Sequence, residues 1–373
     1  MVDSNSIEIK FAIFSQRLFP TRVYPIPVNK LDAYTPIKLG LNIEHNYLND
    51  FNLNPLQPFI PELLTSDGQI IQGYLINDET NEGNQKIQFN WRIRPKMSYS
   101  LFLSARLYWQ NNSLKLKIPT IPHYYFSSSV NNSSFWCFDG LEVKNYKLRF
   151  LINTNIEINP WQNSSEILAT PWLNLHLVQP LSNDSNAIEV DGVLFHMETP
   201  ESIYWMTPPK PNIIKRIFSI VEQRYVNLGI RITNNTPNPL RFYQSGSIDV
   251  ILRSEDGKEI NRGGDPMRLG ERARNLQSYY LVEPGKDAFI NLQGIISWNK
   301  GHLQLAIPNK YCNYLTGKEA YYYFYGLKLG ASYQLQVMYH IVEPQEEWYV
   351  KHAVSEKAWS GYINMPCVEF RLV

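Results

Sequence analysis

The chain has 373 residues, a net charge of +1 at pH 7 and only 18% charged side chains, a balance that exerts no global pull on nucleic acid or an anionic membrane. No apolar run approaches the length of a membrane span, and a chain of this length suits two or three domains. Aromatic residues are frequent, with 24 Tyr, 17 Phe and 9 Trp, and such rings fit the pleated, half-buried surface of a strand.

The first residues, Met1-Val2-Asp3-Ser4-Asn5, lack a basic region, and no continuous apolar core follows, so a soluble, cytoplasmic protein is expected. Cys137, Cys312 and Cys367 form an odd set without metal-type spacing, which predicts reduced, buried thiols rather than a disulfide framework.

The chain is written twice. Leu39-Gly40-Leu41-Asn42-Ile43 returns as Leu228-Gly229-Ile230-Arg231-Ile232, a shift of 228 − 39 = 189 positions. The same shift carries Asp67-Gly68 onto Asp256-Gly257, Pro95 onto Pro284, Trp109 onto Trp298, and Leu114-x-Leu116-x-Ile118-Pro119 onto Leu303-x-Leu305-x-Ile307-Pro308. A constant offset that keeps turn, tryptophan and strand in register implies duplication of a folding unit. The expected domains are residues 1–180 and 181–373.

In chain order, each copy opens on a candidate strand, Ser6-Ile7-Glu8-Ile9 and Ala187-Ile188-Glu189-Val190. Pro-punctuated passages follow, around Pro20 to Pro27 and around Pro208-Pro209. Proline cannot donate to a ladder, so these are expected as edge crossings or loops. Leu41 and Ile43, like Leu114, Leu116 and Ile118, recur at period two in both copies, the pattern of a half-buried antiparallel strand. Asp67-Gly68 and Asp256-Gly257 predict tight hairpin turns in which Gly supplies the positive φ. No window makes a convincing amphipathic helix; Ile213 to Val221 fits either helix or strand.

Each copy then runs through a turn and a tyrosine into alternating apolar residues, Gly140-Leu141 to Tyr146 and Gly326-Leu327 to Tyr333. This resembles the tyrosine corner of immunoglobulin-like sandwiches, whose hydroxyl bonds backbone a few residues upstream. Closing strands from Leu173 and from Val368 complete the copies. The predicted fold is all-β: two tandem immunoglobulin-like antiparallel β-sandwich domains from an internal duplication.

The whole chain resembles a class of cyanobacterial tandem immunoglobulin-like repeat proteins that carry this asparagine-turn, Asp-Gly, Trp and closing-strand pattern; the resemblance implies no activity. The stretch from Asn234-Asn235 through Phe242, Asp249, Asp256-Gly257 and Glu283-Pro284-Gly285 is similar to the intracellular proteinase inhibitor family, itself an immunoglobulin-like sandwich. In the first copy Lys96 stands where that pattern has Gly. These are turn and strand residues, so the similarity speaks to fold more than to inhibition.

The seven histidines show no pair at ligand spacing, and there is no phosphate loop, nucleophile elbow or Cys-x-x-Cys. Gly263-Gly264-Asp265-Pro266 is expected to be a turn. No catalytic group, cofactor or metal is therefore expected.

The differences between copies suggest where contact is made. Arg262 to Asn275 carries four Arg against Asp265 and Glu271, a net of 4 − 2 = +2. The equivalent Gly73 to Lys86 carries Lys86 against Asp78, Glu79 and Glu82, a net of 1 − 3 = −2. Solvated loops would account for this. A contact surface would too, with Arg268, Arg272 and Arg274 as its polar candidates, and it would allow salt-sensitive head-to-tail self-association.

Aligning Gly140 with Gly326 turns Phe135, Cys137 and Asp139 into Tyr321, Tyr323 and Tyr325 on one face of a strand. Trp136 and Phe138, like Tyr322 and Phe324, should point inward. The functional expectation is a non-catalytic interaction protein with a protein partner, no nucleic acid and no membrane span. A proteinase-inhibitor-like protein and a carbohydrate-binding protein using the tyrosines are the alternatives. Trp109 and Trp298 are expected to anchor the core.

Overall fold

The structure is a computed structural model. It describes residues 9–13, 21–29, 33–45, 51–53, 59–77, 91–93, 98–120, 123–124, 134–159, 162–198, 200–208, 223–243, 248–263, 279–299, 301–313, 318–341 and 356–373. Among them the secondary structure is all-β, in several sheets whose neighbours are almost all antiparallel. The chain divides into two compact units, Met1–Val178 and Gln179–Val373, beside the expected boundary.

In the first unit one sheet runs Ile9–Ile13, Tyr34–His45, Ser98–Gln110, Ser113–Pro119, Ser134–Leu141, Tyr74–Asn77. The other sets Thr21–Pro25, Leu173–Val178, Asn145–Asn159 and Ile60–Thr65 side by side. Thr21–Pro25 lies parallel to Leu173–Val178, so this proline-flanked passage is a strand where a crossing or loop was expected. It is a strand because Pro25 ends it and its inward side chain Tyr24 is fully buried. Period-two residues from the two sheets meet in one core: Ile37, Leu39 and Leu103 from the first, Leu148, Phe150 and Leu175 from the second. Burying each such side chain contributes about 1.5–3 kcal/mol.

The second unit repeats these registers. Tyr34 opposite Tyr108 becomes Gln223 opposite Ser297, and Leu114 opposite Trp109 becomes Leu303 opposite Trp298, both at 189. Tyr146 opposite Thr65 becomes Tyr333 opposite Ser254, with shifts of 333 − 146 = 187 and 254 − 65 = 189. Two differences stand out. Tyr34–His45 is one strand, whereas its counterpart is divided into Gln223–Val226 and Gly229–Asn234. Ile9–Ile13 pairs with Leu41 to His45, and the segment that pairs equivalently is Val193–Glu198, not Ala187–Val190. The latter forms a hairpin with Val193–Glu198 through Asp191-Gly192, both at positive φ. The similar spelling of the two opening segments therefore does not mark equivalent strands.

The Asp-Gly turns form in both units. Gly68 has φ +86° and Gly257 φ +76°, with Gly68 N–H donating to Thr65 O at 3.0 Å and Gly257 N–H to Ser254 O at 2.8 Å. The hydroxyls of Thr65 and Ser254 donate to the carboxylates of Asp67 and Asp256. Those bonds hold both carboxyls below the ordinary aspartate range.

Tyr146 and Tyr333 are buried. The Tyr146 hydroxyl accepts from Glu142 N–H at 2.8 Å and donates to Glu142 O at 3.2 Å. The Tyr333 hydroxyl accepts from Lys328 N–H at 2.7 Å. Trp109 donates its indole N–H to Pro27 O at 2.7 Å, whereas the buried indole nitrogen of Trp298 has no partner among the described residues.

Candidate functional site

The strand Lys318–Leu327 alternates as expected. Phe324 is buried and Tyr322 half-buried, its hydroxyl donating to Ile248 O. Tyr321, Tyr323 and Tyr325 share the opposite face, with ring centroids 5.8 Å apart for the first pair and 5.9 Å for the second. The Tyr323 and Tyr325 rings are stacked at 15°. A strand puts alternate side chains about 7 Å apart on one face, so neighbouring tyrosines pack into a ladder.

Cross-strand register turns this ladder into a surface. One row runs Gln223, Ser297, Gln304, Tyr325; the next runs Tyr225, Ile295, Ala306, Tyr323. Tyr225 is 58% and Tyr325 46% exposed, so both ends of the surface are open. Ser297 and Gln304 are buried between them. The Gln304 amide accepts from Asn299 at 3.1 Å and donates to Ser297 Oγ at 3.4 Å. Neither row contains a charged side chain.

Charge collects instead on the neighbouring strands Val193–Glu198, Gly229–Asn234 and Asp287–Asn291. There Arg231 bonds Glu198 at 2.8 Å and Asp287 at 2.7 Å, which raises its pKa. Asp184 lies 3.0 Å from His196 Nε2.

Gly263 lets the ladder spread. It pairs with Tyr323, and a Cβ placed on it would stand 2.2 Å from Cε2 of Tyr325. The Tyr325 ring therefore lies across the backbone of the short strand Arg262–Gly263. That dipeptide was expected to open a loop and a turn, and it is a strand because it pairs with Lys318–Leu327. Its other residue, Arg262, bonds Asp249 and stacks 4.6 Å over the Tyr322 ring.

The first unit places different chemistry on the equivalent rows, Tyr34, Tyr108, Lys115 and Pro36, Arg106, Lys117, Cys137, with Asp139 beside Lys115 at the bulge. Lys115 bonds Asp139 at 2.8 Å. Their bond is the main cause that holds the carboxyl down and the ammonium up in pKa, with Ser113 adding to the first effect. Arg106 stacks 4.8 Å over Tyr34, and Lys117 lies 3.8 Å over Phe135. Tyr74 pairs with Cys137 across the strands, and the Tyr108 hydroxyl is 3.9 Å from Cys137 Sγ. Burial first, then the thiol, pushes the Tyr108 phenol up.

Arg268, Arg272 and Arg274, with Asp78, Glu79 and Glu82, lie outside the described residues, as does Ile213 to Val221. The start of the acidic segment, expected as a loop, is the strand Tyr74–Asn77, held by pairing with Ser134–Leu141. Tyr225, Gln304 and Ser297 join the site although sequence reasoning passed over them, and Gly263 joins it as a strand residue where a turn was expected. The signal available was their period-two position combined with the 189 shift.

Among the described residues no group of three or more His, Cys, Asp or Glu side chains gathers to hold a metal, and no helix is long and apolar enough to cross a membrane. Cys137 and Cys367 are free thiols, and burial pushes Cys367 up to about 11. No family model matches the sequence, and comparison with curated proteins finds no relative.

Proposed function

We propose that this is a non-catalytic interaction protein, built on two tandem immunoglobulin-like sandwiches from an internal duplication, that binds a protein partner through the tyrosine face of its second unit. The immunoglobulin-like reading is supported by strand order. The start of the first unit contributes one strand to each sheet, the second of them parallel to the closing strand, and a tyrosine corner opens the strand between closing strand and hairpin. The duplication is supported by the registers that recur at one offset. Free thiols fit a reducing, cytoplasmic setting.

The observation that carries the binding reading is the ladder Tyr321, Tyr323, Tyr325, set beside neutral amide and hydroxyl groups and reaching the surface at Tyr325. Large rigid aromatics at a charge-depleted centre are the composition of an interface core. The test is affinity capture with wild type and with Tyr323→Ser/Tyr325→Ser, followed by calorimetry on each purified partner. Loss of a partner in the variant supports the reading. Partners captured equally by both proteins count against it, and binding to a neutral glycan array abolished by the same changes would replace it with carbohydrate recognition.

A further inference from the structure

We infer that the tyrosine face docks on the same face of a second copy of this chain, giving a two-fold symmetric dimer. This rests on the reading of that face as the binding surface and names its partner. A two-fold interface sets one patch against itself, so any net charge on the patch repels its own image. The rows through Ser297–Gln304–Tyr325 and Ile295–Ala306–Tyr323 carry none, whereas the equivalent rows of the first unit carry Lys115, Arg106 and Lys117, with Asp139 beside the first of these.

The second condition for self-pairing is hydrogen-bond symmetry. Lys and Arg only donate and an ionised carboxylate only accepts, so neither can bond its own kind. A tyrosine hydroxyl both donates and accepts, and Tyr225 and Tyr325 are exposed in the two rows, while Ser297 and Gln304 are buried and bonded to each other. Tyrosine also has few rotatable bonds, so fixing it in a contact costs little entropy. The charged groups of the neighbouring strands, Glu198, Arg231 and Asp287, are bonded to one another and leave the neutral half distinct.

Five strands about 4.8 Å apart make a patch roughly 20 Å wide, small against a stable interface, so a weak, concentration-dependent dimer is expected.

The test is sedimentation velocity of the full chain from about 1 to about 200 µM, in about 50 mM and about 1 M salt. A dimer populated with rising concentration and unmoved by salt is expected. Tyr323→Asp/Tyr325→Asp, which sets like charges against each other, should weaken it at least tenfold. Tyr323→Ser/Tyr325→Ser, checked by circular dichroism, serves if the acidic variant does not fold. A monomer throughout the range overturns the inference, as does a dimer that both variants retain or that dissolves with salt. A monomer leaves the foreign-partner reading standing, and that reading falls only when Tyr323 and Tyr325 prove dispensable for capture.

Discussion

The sheet of the first unit that holds Ser113–Pro119 and the sheet of the second that holds His302–Asn313 agree on their inner faces and disagree on their outer ones. Inward, Leu116 and Phe138 correspond to Leu305 and Phe324, all buried. Outward, a lattice of ions and stacked cations corresponds to tyrosines and amides. Filling the space between two sheets leaves little freedom, because density there is that of a crystal. A side chain facing solvent answers to no such constraint, so the outer faces are free to differ between the two units.

The comparison breaks most visibly at the inner face. Phe138→Ala and Phe324→Ala should each cost about 3–5 kcal/mol, as expected for deleting a buried ring. Calorimetry of the full chain should show one unit failing in each variant by the same margin. A cost below about 1 kcal/mol in either would mean that the inner faces are not equivalent.

The corners should differ. Removing the Tyr146 hydroxyl strands both the N–H and the carbonyl of Glu142, while removing that of Tyr333 strands the N–H of Lys328. Tyr146→Phe is expected to cost about 2 kcal/mol and Tyr333→Phe about 1 kcal/mol. At about 2–4 °C per kcal/mol for units of this size, melting curves resolve the two; equal curves would refute the difference.

The tryptophans sharpen the comparison further. Trp109→Phe loses the bond to Pro27 O, and Trp298→Phe removes a buried donor that has no partner among the described residues. Trp109→Phe should be the more destabilising by about 1 kcal/mol, measured by denaturant unfolding. The reverse order would show that the Trp298 indole has a partner.

These elements were not equally legible in the sequence. Gly68, Gly257 and the corner tyrosines could be placed because the local conformation demands those residue types: a positive φ, or a phenol reaching back to backbone. The inward pattern was legible because burial imposes period two. The division of the long strand at Asn227-Leu228 was not, since the apolar spacing continues through it. Nor was the site beyond its tyrosines. That Gln304 and Ser297 lie beside Tyr325 follows from register across three strands, which no single segment encodes. The burial of Lys115 escaped for the opposite reason: a lysine suggests a solvated position until Asp139 is placed beside it.

The smallest expected effect is in acid. Asp67 and Asp256 hold equivalent turns and have depressed pKa values from equivalent hydroxyl bonds, so they cancel between the units. Asp139 does not cancel, because Tyr325 stands in its place. Its carboxyl is lowered, chiefly by Lys115 and then by Ser113. A group depressed by folding adds stability above its unfolded pKa, near the ordinary 3.8, and that stability fades as pH falls through the lower folded value. Below about pH 4 the first unit should therefore lose stability faster than the second. Asp139→Asn should flatten that extra dependence while lowering stability at neutral pH, where Lys115 is left without its carboxylate. Melting temperatures of wild type and variant from about pH 2 to about pH 7 decide the point. Parallel curves for the two proteins would show that the Lys115–Asp139 pair contributes nothing to the folded state.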